Sequence, residues 1–251
     1  MARQKNNKRL LIIDIESYIY KACSSCRELA EVSPFVYQEL FKLENGIDYI
    51  NKTIKDLSTT LKADDIVLVL GHETNFRKAV NPDYKGNRTN KPLLYPLLRE
   101  YIEQKYPCEC LIGLEADDTA RIINEDKVTY DFGEKIIVSI DKDFYSIPCK
   151  FYRDLPDYRT VIEVSKEQAN YNLMKQVIMG DSADNYSGIP GWGKAKTTRW
   201  LNEKPRTWGD VLKLYQENGL SGSDYAMNKT MAELVGYYQY DFEKGEVLYG
   251  K

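Results

Sequence analysis

The chain has 251 residues, 43% of them hydrophobic, which is enough for a real core in one large domain or a main domain with a small appendage. A net charge of −3 excludes a generic polyanion binder, so any nucleic-acid surface has to come from local clusters of Lys and Arg. The opening residues, MARQKNNKRLLIIDIE, hold an apolar run too short for a signal peptide, and no stretch can span a bilayer; the expectation is a soluble, cytoplasmic monomer with no membrane partner.

In chain order, Arg9–Asp14 (RLLIID) is a short aliphatic run ending in an acid, and Ile66–Gly71 (IVLVLG) and Lys135–Asp141 (KIIVSID) repeat the pattern. Continuous runs of this kind suit strands covered on both faces. Helical patterns lie around them at Ile15–Leu29, Ile47–Leu61, Leu93–Tyr106 and Glu115–Asn124. The alternation predicts an α/β fold with a mostly parallel central sheet flanked by helices. Ligands of such sheets sit at the carboxyl ends of the strands, where Asp14 and Asp141 fall. After about Glu167 the aliphatic strands stop and the pattern turns helical.

Two features interrupt this order. Asn75–Pro92 (NFRKAVNPDYKGNRTNKP) follows a strand and carries Arg77, Lys78, Lys85, Arg88 and Lys91 with Phe76 and Tyr84 among them. Ile178–Thr197 (IMGDSADNYSGIPGWGKAKT) sets Asp181 and Asp184, one turn apart if helical, before a glycine-rich basic stretch. Gly188 to Lys194 fits the phosphate-loop spacing G-x-x-x-x-G-K, but Ala195 stands where such a loop needs Ser or Thr, and no hydrophobic strand leads into it. The five cysteines read as buried or incidental, because Cys23-x-x-Cys26 has no second pair at zinc spacing.

Carboxylates come in four packets: Asp14; Glu115, Asp117 and Asp118; Asp141 and Asp143; Asp181 and Asp184. Acids often cap helices or face solvent. Eight of them converging on one edge of a sheet could not stay ionised without compensation, and hard divalent cations supply it. Two such ions about 4 Å apart can activate a water and stabilise the leaving oxygen of a phosphodiester. Beside a basic, aromatic-bearing segment, that chemistry points to nucleic-acid hydrolysis.

Five stretches in order resemble the 5′-nuclease superfamily of flap endonucleases and 5′→3′ exonucleases, in particular stand-alone phage enzymes and the nuclease domain of bacterial DNA polymerase I. They are Asp14-Ile-Glu16-Ser-Tyr-Ile-Tyr20-Lys21-Ala; Asn75-Phe-Arg77 with Pro82-Asp-Tyr84-Lys85-Gly-Asn-Arg88; Gly113-Leu-Glu115-Ala-Asp117-Asp118; Ser139-Ile-Asp141-Lys-Asp143; and the Asp181–Lys196 stretch. The resemblance implies a PIN-like fold with a nuclease part over 1–166, a helical arch at about 75–92, and a helical region over 167–251 with a helix–hairpin–helix motif at about 178–202.

It further implies two Mg2+ or Mn2+ ions, one near Asp14, Glu115, Asp117 and Asp141, the other near Asp143, Asp181 and Asp184, with Asp118 near both. Lys85 would reach the scissile phosphate, Arg77, Arg88 and Lys21 would lie with DNA, and Tyr84 and Tyr20 would be stacking faces. Gly191, Gly193, Lys194 and Lys196 would hold duplex phosphates, Trp192 would pack inward, and the family's turn holds a potassium ion. The implied activity is a structure-specific 5′ nuclease for DNA 5′ ends, flaps and junctions, and for RNA primer–DNA hybrids, in the host cytoplasm if phage-encoded. The alternatives are a catalytically weakened junction-binding protein and a PIN-type ribonuclease. One departure stands out: the family has an Asp after the second strand, where this chain reads Leu70-Gly71-His72-Glu73. Glu73 or His72 could substitute, or the site could work with one acid fewer.

Overall fold

The computed structural model describes residues 7–87 and 90–248. In chain order the elements are β1 (Arg9–Asp14), α1 (Glu16–Ser25), β2 (Arg27–Ser33), β3 (Val36–Phe41), α2 (Leu43–Thr60), β4 (Asp65–Val69), α3 (Phe76–Val80), α4 (Tyr95–Lys105), β5 (Cys108–Glu109), α5 (Ala116–Glu125) and β6 (Glu134–Ser139). There follow β7 (Cys149–Arg153), β8 (Val161–Val164), α6 (Lys166–Met179), β9 (Gly180–Asp181), β10 (Tyr186–Ser187), α7 (Lys194–Glu203), α8 (Trp208–Glu217), α9 (Gly222–Ala232), β11 (Tyr240–Asp241) and β12 (Glu246–Val247).

The main sheet runs β5-β4-β1-β6-β7-β8, parallel throughout except for β8. From β1 the chain moves outward through β4 to β5, then crosses back through α5 to β6 on the other side of β1. The strand order therefore reverses between β1 and β6, and the crevice at their carboxyl ends is where such sheets place ligands. Successive β1 residues alternate between two cores. Leu11 and Ile13 pack under α1, α2 and α4, with Ile19, Ile50, Ile54 and Leu98. Leu10 and Ile12 pack toward α5 and the 143–146 turn, with Ala120, Ile123 and Phe144. Burial on both faces is why the strands read as unbroken aliphatic runs.

A third core joins α6 to α9 through Val177, Ile178, Val211, Tyr215 and Met231. Helices α6, α8 and α9 begin at side-chain caps: Ser165 accepts from Gln168 N, Thr207 from Asp210 N and Ser221 from Asp224 N.

Three sequence expectations change. The helix expected over Ile15–Leu29 stops at Ser25, and the chain becomes the β2–β3 hairpin, which turns at Phe35 with φ 65°. Strands β7 and β8 add two members to the sheet beyond the three aliphatic runs. The expected helical arch is, among the described residues, only the five-residue α3 followed by turns over 82–87 that fold down onto the acid cleft. Arg88 lies outside the described residues.

Candidate active site

Asp14 leaves the end of β1 half-buried, and its Oδ2 accepts a hydrogen bond from Ser139 Oγ at 2.8 Å. The same hydroxyl accepts from Asp141 N at 3.0 Å, so one serine at the end of β6 ties both strand ends together. Asp141 Oδ1 in turn accepts from Asp143 N at 3.0 Å, which bends the chain into a tight turn. Lys142, between the two acids, was not singled out in the sequence. Its Nζ lies 2.8 Å from Asp181 Oδ2 and 3.6 Å from Asp143 Oδ1, joining two of the acidic packets. Its position between two acids was the available signal.

Asp181 and Asp184 lie on the β9–β10 hairpin, not on a helix. Asp181 Oδ1 accepts from Ala183 N at 2.8 Å within the turn. Asp184 Oδ2 accepts from the Tyr84 hydroxyl at 3.2 Å, and the same hydroxyl donates to Glu115 Oε2 at 2.8 Å. Tyr84 is 2% exposed, so it is a strut between two acids and not the stacking face expected. Tyr20 is exposed and packs 5.2 Å from the Tyr95 ring, and Lys21 is exposed one residue further on.

Lys85 pairs with Glu115 Oε1 and lies 3.8 Å from Asp184 Oδ1. Its φ is 55°, a conformation costly for a residue with a side chain, and its amide donates to Asp184 O at 3.0 Å. The lysine is thus held over the acids by both backbone and side chain.

Carboxylate oxygens of Glu115, Asp117 and Asp118 lie within 4.8 Å of one another, at the start of α5. Asp118, however, is fully committed. Oδ1 accepts from Arg77 Nη2 at 2.8 Å and Val235 N at 2.7 Å, and Oδ2 accepts from Arg77 Nη1 at 2.7 Å and Glu115 N at 3.2 Å. Arg77 also donates to the carbonyls of Met231 and Glu233 at the end of α9. The pair is therefore an internal brace. Arg77 is 1% exposed and cannot meet DNA as expected, and Asp118 has no lone pair directed at a cation.

The remaining acids differ in how readily they ionise. Burial pushes Asp14 up to about 7, with the Ser139 hydrogen bond opposing and the charges of Glu16 and Asp141 reinforcing. Burial raises Asp143 to about 6, aided by Asp141. Asp117 rises well above the usual carboxylate range through burial and the neighbouring Asp118 and Glu115. Glu115 goes the other way: against burial, Lys85 and Arg77 hold it down to about 2. Asp181 is also lowered, as the Lys142 hydrogen bond overcomes burial. The cleft holds more carboxylate than its own cations neutralise, all of it oxygen donor, which fits hard divalent ions.

Beside the acids, α6 and α7 flank the 180–193 hairpin. Gly180 and Gly188 touch backbone to backbone: a Cβ on Gly180 would stand 2.2 Å from Gly188 N, and one on Gly188 would stand 2.2 Å from Ile178 O. Gly191 (φ 75°) and Gly193 are open to solvent, Gly193 caps α7, and Lys194 and Lys196 are exposed on its first turn. Trp192 packs inward, with Nε1 donating to Asn218 at 3.1 Å and Lys196 Nζ 4.1 Å from the ring centroid.

An α/β sheet with an acid-lined crevice at its switch point, followed by a glycine-rich turn and the exposed first turn of α7, makes a PIN-like/5′-nuclease fold. Over nearly its whole length the chain is similar to phage exonucleases. It is 25% identical to the exodeoxyribonuclease of Enterobacteria phage T3 over 96% of this chain and 92% of that one. It is 24% identical to the exonuclease of Escherichia phage T7, over 96% and 93%. The fold matches that of the phage T5 D15 flap endonuclease with a TM-score of 0.63 at 17% identity, covering 90% of this chain and 89% of that one. No protein-family model matches the chain.

Proposed function

We propose that the protein is a structure-specific 5′ nuclease that hydrolyses DNA phosphodiesters at 5′ ends or 5′ flaps with the help of Mg2+ or Mn2+. The observation that carries this reading is the joining of three acidic packets by Lys142, Tyr84 and Lys85 at the carboxyl ends of β1 and β6. The phage relatives named above are exonucleases by description.

Asp14, Glu115, Asp117 and Asp141 are the residues to hold one ion, and Asp143, Asp181 and Asp184 those to hold a second. Bound there, such ions lower the pKa of water and neutralise charge on a transferring phosphate. Asp118 and Arg77 keep Glu115 and Asp117 in place. Lys85 is the chain's own cation for the charge that develops on the phosphate, preset over the cleft by its backbone. Lys194, Lys196 and the amides at the start of α7 grip duplex phosphates without reading bases, and carbonyls of the 188–193 turn are the place for a potassium ion. RNA primer–DNA hybrids fall within the same backbone-directed recognition.

The test is cleavage of a 5′-labelled flap duplex beside a blunt duplex, with and without Mg2+, by the wild type and Asp181→Asn. Metal-dependent cutting lost in the variant supports the reading. Intact DNA binding with no cutting by the wild type sinks it, and product lengths separate flap from end preference.

A further inference from the structure

Three neighbouring parallel strands, β4, β1 and β6, end at the cleft. β1 ends in Asp14 and β6 is followed by Asp141, but β4 runs out through Leu70 into Gly71, which has no side chain to offer. The space above Gly71 is filled from α1. Glu16 Oε1 accepts from Gly71 N at 3.2 Å and from Tyr95 Oη at 3.0 Å, with Arg99 Nη1 3.9 Å away. A Cβ on Gly71 would stand 3.3 Å from that same oxygen, 3.5 Å from Ala116 N and 3.7 Å from Glu115 Cα. Gly71 therefore stands between the Glu16 carboxylate and the start of α5 that presents Glu115 and Asp117.

Neither neighbour in sequence fills this place. His72 turns its Nδ1 to Thr74 Oγ1 at 2.8 Å, and Glu73 is exposed. Every contact of Glu16 given above uses Oε1, and the side chain keeps 31% of its surface accessible at the cleft edge. Glu16 also reaches Asp14 through its charge and through its backbone amide, which donates to the Asp14 carboxylate.

We propose that Glu16 is the divalent-ion carboxylate that β4 does not supply, acting on the ion or its water shell, with Tyr95 and Arg99 as its positioning residues. The proposal rests on the nuclease reading above. An acid delivered across Gly71 from the first turn of a helix replaces one delivered from the strand itself, and the absence of a side chain at Gly71 makes the reach possible. Outer ligands and orienting groups of this kind are worth roughly 10- to 100-fold in metal affinity.

The test is Mn2+ binding to the full chain without DNA, by calorimetry or by the loss of the free-ion paramagnetic signal. Wild type and Glu16→Gln are compared, with thermal unfolding as the check on folding. A loss of roughly tenfold or more in Mn2+ affinity with an unchanged melting curve supports the role. Wild-type affinity in the variant overturns it. If Glu16→Gln fails to fold, the pair Glu16→Ala and Glu16→Ala/Gly71→Asp decides: an aspartate has room at 71 once Glu16 is shortened. Recovery of Mn2+ binding in the double variant supports the proposal, and no recovery overturns it. A wild type that binds no Mn2+ at all removes the nuclease reading itself, an outcome distinct from unchanged binding in Glu16→Gln.

Discussion

Arg77 and Asp118 meet as two forks in an interior closed to water, with Nη1 to Oδ2 at 2.7 Å and Nη2 to Oδ1 at 2.8 Å. This contact links the basic segment, the acid-bearing start of α5 and the end of α9. Burial works against the Arg77 charge, yet Asp118 keeps the guanidinium firmly protonated.

Removing one partner strands the other. Arg77→Ala or Asp118→Ala should each cost about 3–5 kcal/mol of stability, read by denaturant unfolding. Arg77→Lys should also be costly, because an ammonium cannot reproduce the two-pronged contact. Losses near zero would show that the brace is not structural.

Lys85→Met keeps the length of the side chain and removes its charge. Single-turnover cleavage should fall by about 10²–10³-fold while the fold survives, as for loss of one preset donor to a developing oxyanion. A rate within error of wild type would exclude Lys85 from the chemistry.

The acids predict opposite pH effects in two windows. Asp14 and Asp143 have folded values of about 7 and about 6 against a reference of 3.8. Below 3.8 they contribute nothing; between 3.8 and 7 the folded chain holds more protons than the unfolded one, so metal-free stability falls as pH rises. Glu115, held at about 2 against 4.5, adds stability above 4.5 that is lost as pH falls toward 2. Divalent ions held as proposed would compete with the protons of Asp14 and Asp143. The Tm gain on adding millimolar Mg2+ should therefore be small below pH 6 and large above pH 7. An equal gain at both would show that these carboxyls do not bind the ion.

Lys194→Ala and Lys196→Ala should weaken duplex binding and flatten the plot of log affinity against log salt by about one unit each. Cleavage at saturating DNA should be little changed. A salt slope equal to that of wild type would take the α7 turn out of the interface.

The β-sheet and its catalytic edge were legible because both rest on local patterns: aliphatic runs for strands buried on two faces, acids where those runs stop. The acids' partners were not. Tyr84 and Arg77 sit in a basic, aromatic-bearing segment, which in sequence looks like a nucleic-acid surface. Their burial depends on Glu115, Asp118 and Asp184, and the last lies 100 residues away from Tyr84. The β2–β3 hairpin was missed for the opposite reason. It carries Leu29, Val32, Val36 and Tyr37 exposed, so no one-sided burial marks its alternation. Only the fold shows that Glu16 stands over Gly71.

The contact of Gly180 with Gly188 has a metric consequence. Two backbones that touch leave no slack between them, so the contact sets the spacing between the loop bearing Asp181 and Asp184 and the turn leading into α7. A duplex phosphate held at the start of α7, as proposed above, would then lie at a constant step from the acids. On the proposed grip the chain would carry a ruler, whose length is written in backbone rather than in base contacts. Extending the turn by even one residue should displace the cut along the strand, while changing the DNA sequence should leave it where it is.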